Sequence, residues 1–283
     1  MASAFELKVF PDLKAFETAV APTLELKEAE NSLMLGLMTA LQARPPEAEM
    51  LFASVTDRSE TVMTAFFTGH LLLLSKGGRQ GIDMLVEHFA NSGWKCPGIV
   101  GHERTAQTFA NKWITTAKCK VSALKRHRIY ELTKVTPPQD VEGHMRLATR
   151  DDLELLLDWT RLFNQEALPH QPFNLEGTRR NLGFRIDEQR TFVWECGGRV
   201  VSMAALNRPT RRSFSVGPVF TPENERRHGF ASALTAAVSQ QGLDTGKEMT
   251  VLYTDLDNPV SNSIYMKIGY RPVADARNYW FVY

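Results

Sequence analysis

Cysteine is scarce in this chain: 283 residues carry three, at positions 96, 119 and 196. An odd number so widely separated excludes a disulfide framework and leaves no pair at zinc-ligand spacing, so a reducing, cytoplasmic setting is expected. An excess of one charge is also missing. Lys and Arg total 33 against 32 Asp and Glu, a net charge of +1, which gives no overall attraction to nucleic acid or to an anionic membrane. Long apolar runs are lacking too. The opening MASAFELKVFPDLK places charges where an export signal needs an unbroken apolar stretch, and the leucine run at 71–74 is far too short to cross a bilayer. Neither export nor membrane anchoring is expected. What the chain does have is 43% hydrophobic and 23% charged residues, near the averages of soluble globular proteins. At this length two domains, each with its own core, are the natural expectation.

The sharpest break in composition is VTPPQDVEG at 135–143, where two prolines, two acids and a glycine follow a strand-like stretch at 128–132. It separates an N-terminal domain, 1–138, from a C-terminal domain, 139–283. A second proline-rich segment, ARPPEAEM at 43–50, reads as an internal loop between a helical pattern at 29–42 and an apolar run at 50–55. Beyond the boundary, strands are expected at 146–149, 191–195, 200–206, 214–220, 249–254 and 279–282, with Gly197 and Gly198 turning the second into the third. Helices are expected from an Asp151 cap, over 175–186, 231–241 and 259–268. Such alternation predicts an α/β (α+β) domain with a mixed central sheet flanked by helices.

The most informative segment is VGPVFTPENERRHGFASAL at 216–234, a strand running through a loop into an Ala-rich helix. Its physics suits a diphosphate, because Gly229 lets the backbone approach an anion closely and the first helical turn presents free N–H groups at the positive end of the helix dipole. Arg226, Gly229 and Ala231 stand where the acyl-CoA loop of the GNAT superfamily of N-acetyltransferases has Gln or Arg, Gly, and Gly or Ala. Downstream, NPVSNSIYMKIGY at 258–270 resembles the last helix of that family, with Asn258, Tyr265, Gly269 and Tyr270 in matching order and spacing. The resemblance covers about 145–283 and implies a GNAT fold, acetyl-CoA as cosubstrate with no metal, and acetyl transfer to the amine of a small molecule or a peptide.

It also implies roles for particular residues. Val219, Phe220, Thr221, Arg226, Arg227, His228, Gly229, Phe230, Ala231, Ser232, Asn258 and Tyr265 are the expected coenzyme-binding set. The strands at 214–220 and 249–254 would splay apart to admit the pantetheine arm, with the Val219 amide facing the thioester oxygen and Tyr265 protonating the departing thiolate. Taken without the resemblance, Tyr265 reads as a core aromatic, Arg226 as solvent-exposed and His228 as incidental. The general base stays open. The strand 211–220 contains no carboxylate, so Glu166, Glu195, Asp255, the terminal carboxylate of Tyr283 and a water relay all stand as candidates. A non-catalytic acyl-CoA-binding regulator is the alternative that this gap keeps open.

Other signals are weaker. His102 and Glu103 lack the second histidine of a zinc-protease motif, and Cys196 beside a Gly-Gly turn reads as a small strand residue. The basic clusters at 118–128 and 208–212 read as solvated loops, the second also as a contact for the coenzyme's 3′-phosphate or an acidic acceptor. In the N-terminal domain, 70–113 repeats the downstream order of strand, Gly-rich SKGGRQG, helix, strand and helix. Gly81 then matches Gly229, and Asp83 matches Ala231, putting a negative charge beside any bound diphosphate. The expectation is a degenerate, non-binding GNAT-like domain, the alternative being an unrelated α/β domain in which Gly77 and Gly78 form an ordinary turn.

Overall fold

The computed structural model describes residues 5–43, 49–167, 169 and 173–283; most of the proline-rich segment at 43–50 lies outside them. The chain divides into two compact units. Unit 1 comprises Met1–Ile129, Asp255–Asp257 and Val273–Tyr283, and unit 2 comprises Tyr130–Thr254 and Asn258–Pro272. The division is therefore not a single cut, because two segments late in the sequence join the first unit.

Unit 1 contains β1 (Phe5–Val9), α1 (Leu13–Glu25), α2 (Glu28–Ala43), β2 (Leu51–Asp57), β3 (Glu60–Phe67), β4 (Leu72–Leu74), α3 (Arg79–Asn91), β5 (Gly98–His102), α4 (Glu103–Thr116) and most of β6 (Lys120–Leu132). Its strand order is β1-β2-β3-β4-β5-β12-β6, where β12 (Arg271–Val282) is the last strand of the chain. Residues Ala276 to Trp280 of β12 pair antiparallel with β5, and Arg128 on β6 grips Asp275 on β12 through two hydrogen bonds of 2.7 and 2.9 Å. Alternating side chains cover both faces. Phe52 and Phe66 pack with Phe16, Val20 and Met38 of α1 and α2, while Val55, Met63 and Ile99 pack with Leu85, Phe109 and Trp113 of α3 and α4. The basic stretch at 118–128, expected as a loop, mostly forms β6. Long cationic side chains on a partly exposed strand hide the period-2 pattern that would have disclosed it.

The predicted internal repeat has a structural counterpart: β4 runs parallel to β5 with α3 between them and α4 following. Its register needs correcting, however. Gly78, not Gly81, is the N-cap of α3, and Gly81 lies buried inside the helix. Asp83 therefore sits one turn further from the helix end than the sequence pairing implied, and it is ion-paired with Lys112. The end of α3 borders a cavity of about 390 Å³ lined by Gly77, Arg79, Arg104, Thr108, Asn111 and Lys112, among others.

Unit 2 contains β7 (His144–Leu147), α5 (Leu153–Ala167), α6 (Leu175–Asp187), β8 (Thr191–Cys196), β9 (Arg199–Asn207), β10 (Ser213–Val216), α7 (Phe230–Asp244), most of β11 (Met249–Asp255) and α8 (Pro259–Lys267). The strands lie in the order β7-β8-β9-β10-β11, antiparallel except for the parallel β10–β11 pair. This is the mixed sheet that the pattern predicted. Val193 and Met203 face α5 and α6, where Leu156, Leu157 and Leu182 cover them. Phe192, Ala204, Leu206 and Val216 face α7 and meet Leu234 and Val238. Among the described residues no helix is long and apolar enough to cross a membrane.

The start of α5 departs from expectation. Thr149, not Asp151, is the cap of a short 3-10 turn at Arg150–Asp152, and the Asp152 carboxylate reaches back to the Thr149 amide at 2.8 Å. Arg146 holds that carboxylate with hydrogen bonds of 2.8 and 3.0 Å and also binds Glu195 at 2.6 Å. The Arg146 hydrogen bonds, with help from Thr149, keep the Asp152 carboxyl below the usual carboxylate range despite its burial. Because the folded value is the lower one, this contribution is present above about pH 4 and is lost as pH falls through the folded value. Arg146→Met should cost about 1–2 kcal/mol at pH 7, after allowing for partial solvent screening, and less at pH 3. Urea unfolding at the two pH values checks this, and an equal cost at both would remove the assigned role.

Candidate active site

The site grows out of a defect in the sheet. β10 pairs with β11 in parallel at Ser213–Met249, Phe214–Thr250 and Ser215–Val251, and then the pairing stops while β11 continues. The strand expected over 214–220 is cut short at Val216 because Gly217 takes φ 138° and Pro218 offers no N–H. Gly217 still donates to the Ala205 carbonyl at 2.9 Å, and Phe220 rejoins β9 by exchanging two hydrogen bonds with Met203, of 2.9 and 3.0 Å. Pro218 and Val219 together therefore oppose Ala204 alone. This bulge frees the Val219 amide, which has no acceptor among the described residues. The expected splay and the expected free amide coincide in one place.

Beyond the bulge the loop is fastened at its start. Ser202 Oγ donates to the Phe220 carbonyl at 3.1 Å and shares a 2.8 Å hydrogen bond with Thr221 Oγ1. Arg226 is exposed, yet its side chain is anchored. Its Nε donates to the Thr221 carbonyl at 2.9 Å, its Nη2 meets both Glu166 oxygens at 2.9 and 2.8 Å, and its guanidinium lies 5.8 Å from the centre of the Phe220 ring. It thus ties both ends of the loop to α5. Arg227 is exposed, and His228 is exposed and stacked on Phe230.

Gly229 caps α7 in the left-handed region, at φ 83°, with no side chain capping the helix. Two constraints demand glycine: that backbone conformation, and Val141 Cγ2, which would lie 3.0 Å from an added Cβ. The first intrahelical bond runs from the Ala233 amide to the Gly229 carbonyl, leaving the amides of Phe230, Ala231 and Ser232 as donors beyond the helix end. Free amides, a positive dipole end and a cap without a side chain fit a diphosphate.

The second motif packs beside the first. Tyr265 on α8 joins a cluster with Ala236 of α7, Leu252 of β11 and Tyr270. Its ring lies 6.4 Å from Tyr130 and 6.0 Å from Tyr270, and its hydroxyl has no hydrogen-bond partner among the described residues. Burial pushes its pKa up to about 12, so the phenol stays protonated at neutral pH. The other motif residues serve the fold. Asn258 caps α8 by accepting from the Ser261 amide at 3.1 Å, Gly269 at φ 110° leaves room for the Lys134 carbonyl, and Tyr270 bonds Ser239 and Thr250 at 2.8 and 2.9 Å.

Three of the candidate carboxylates are engaged elsewhere. Glu166 is held by Arg226 and Glu195 by Arg146. Asp255 pairs with Lys125 at 3.1 Å within unit 1, where the Tyr283 hydroxyl is also fixed, between Trp113 and the Cys96 carbonyl. Among the described residues no cluster of His, Cys, Asp or Glu could hold a metal ion.

Residues 153–270 match the model of the Acetyltransferase (GNAT) family. This part of the chain is a GNAT acetyltransferase domain. Solved structures extend the likeness in fold over the whole chain. A GCN5-related N-acetyltransferase from Sphaerobacter thermophilus aligns with TM-score 0.65 at 14% identity, covering 98% of this chain and 95% of its own. A GNAT-family acetyltransferase from Colwellia psychrerythraea gives TM-score 0.60 at 10% identity, with 98% and 100% covered. A tandem GNAT protein from the clavulanic acid biosynthesis pathway gives 0.58 at 12% identity, with 98% of each chain covered. Curated protein sequences yield no match. The N-terminal half accordingly shares the GNAT fold, and the chain is an acyltransferase whose family draws its acyl group from acyl-CoA.

Proposed function

We propose that this GNAT protein transfers an acetyl group from acetyl-CoA to an amine of a small molecule or peptide by direct attack on the thioester. The observation that carries the reading is the bulge at Pro218 and Val219, which leaves an amide without an acceptor among the described residues just past the point where the β10–β11 pairing ends. The amides of Phe230, Ala231 and Ser232, assisted by the loop from Thr221 to Gly229, hold the diphosphate, and the splayed strands take the pantetheine arm. The coenzyme supplies the thioester. As the amine attacks its carbonyl, negative charge gathers on oxygen and the Val219 N–H stabilises it. The C–N bond forms, the C–S bond breaks, and Tyr265 gives its proton to the thiolate. Because Glu166, Glu195 and Asp255 already have partners, water removes the proton from the incoming ammonium.

Thiol release from acetyl-CoA with a panel of amines tests this, alongside coenzyme-induced thermal stabilisation. Turnover with at least one amine is expected. The rate should climb with pH toward the pKa of the acceptor and show no descending limb below about pH 10, since Tyr265, raised to about 12, keeps its acidic form throughout that range. Stabilisation by the coenzyme without turnover on any amine would instead favour the binding regulator.

A further inference from the structure

On the face of unit 2 that carries α5 and α6, one patch collects polar groups with nothing to bond. Eight buried side-chain polar atoms among the described residues have no hydrogen-bond partner, and five belong to this patch: Nε of Arg185, Arg190 and Arg208, Oγ1 of Thr191 and Oγ of Ser215. The register puts the two hydroxyls on one face. Thr191 pairs with Ala205, Ser215 pairs with Asn207 on one side and Val251 on the other, and this set alternates with the residues that face α7. Tyr253, two residues after Val251, shares the face.

Arg185 projects from the last turn of α6 and donates to Asn207 Oδ1 at 3.0 Å, and Asn207 in turn donates to the Gly217 carbonyl in the bulged segment. Arg208, at φ 41°, follows β9 and lies within electrostatic reach of both Arg185 and Tyr253. Its guanidinium has no carboxylate partner among the described residues. Arg190 lies over the Phe184 ring, and its nearest carboxylate is Glu188 at 4.0 Å. Burial and the neighbouring guanidiniums lower the pKa of Arg185 to about 10, a sign of positive charge held without compensation. Uncompensated cations of this kind are costly to keep. Through Asn207, Arg185 is linked to Gly217, two residues before Val219.

We infer that this patch receives an oxyanion, a carboxylate or a phosphate, carried by the amine acceptor, with Arg185 and Arg208 as its charge partners and Ser215 and Thr191 as hydroxyl donors. The inference rests on the acetyl-transfer reading and narrows its acceptor to acidic amines. The bidentate fork of arginine suits both oxyanions, and the hydroxyls fill their remaining lone pairs.

Matched acceptors test it: amino acids against their α-amides for the carboxylate, and phosphoethanolamine against ethanolamine for the phosphate, compared at equal concentrations of free amine. One anionic class should be preferred by about 10²-fold or more in kcat/KM, since a site built for a polar group discriminates strongly against its absence. Arg185→Met and Arg208→Met should each abolish most of that preference while leaving the KM for acetyl-CoA unchanged. Without ligand, Arg208→Met should melt no lower than the parent; a large drop would mark a structural arginine and overturn the assignment. Equal rates on charged and neutral acceptors, or a preference that survives both substitutions, would also overturn it. If no amine is acetylated, the transfer reading fails by itself, and the patch is judged by binding: phosphate or glutarate should raise the Tm of the parent and not of either variant. An equal rise in all three proteins, or none in the parent, would sink it.

Discussion

Tyr265→Phe should lower kcat by about 10²- to 10⁴-fold, the range for a lost general acid, with coenzyme affinity nearly unchanged. The expectation comes from a hydroxyl on a partly buried ring that stays protonated and is bonded to nothing else among the described residues. That combination separates catalysis from packing. Were Tyr265 only a core aromatic against Tyr130 and Tyr270, phenylalanine would keep the ring contacts and discard an unsatisfied hydroxyl, leaving activity and stability as they were. The defect should shrink when the acyl donor carries a thiol of lower pKa, because such a leaving group needs less help from an acid. Undiminished turnover, or a defect that ignores the leaving group, would take the acid role away from this residue.

The second large effect is expected at the helix end. Gly229→Val should weaken acetyl-CoA binding by about 10²-fold, the equivalent of about 3 kcal/mol. Valine in the left-handed region costs about 1–2 kcal/mol, and its branches meet Val141, so the first turn of α7 must shift and its amides lose their aim. Ala231→Asp supplies an independent arm. It leaves Gly229 in place but sets a carboxylate among the donors, where repulsion replaces attraction. Calorimetric titration of both variants reads the result. Affinity retained in the aspartate variant would move the diphosphate away from this turn.

Much of this site was legible because its signals are local. The left-handed glycine, the loop and the proline-started helix behind an asparagine cap are each written within a few consecutive residues. The roles that escaped are those fixed by distant partners. The anchoring of the exposed Arg226 went unread since nothing nearby names Glu166, 60 positions away, as its partner. Gly78 and Gly81 both stand at the start of a helix in sequence, and only the hydrogen-bond ladder decides which one caps it. The patch on the α5 and α6 face was visible only as a basic cluster at 208–212. Of that cluster Arg208 joins the patch, whereas Arg212 pairs with Glu248 at 3.6 Å, and the other members come from a helix end, a strand start and, with Ser215, from β10. In the fold, the end of β10 at Val216 was missed although Gly217-Pro218 interrupts the expected strand, and β6 was missed because lysine and arginine mask an alternating pattern.

The position of β12 sets an order of events during synthesis. Residues 273–283 occupy a slot between β5 and β6, so the N-terminal unit cannot complete its sheet until those residues have emerged, long after the rest of it. Until then β5 has a vacant edge facing a hydrophobic interior, the kind of strand that recruits neighbours into aggregates. Severing the chain at its proline-rich midpoint would make that transient hazard permanent. One fragment would keep the empty slot, and the other would trail Tyr279, Trp280 and Phe281 with nowhere to bury them.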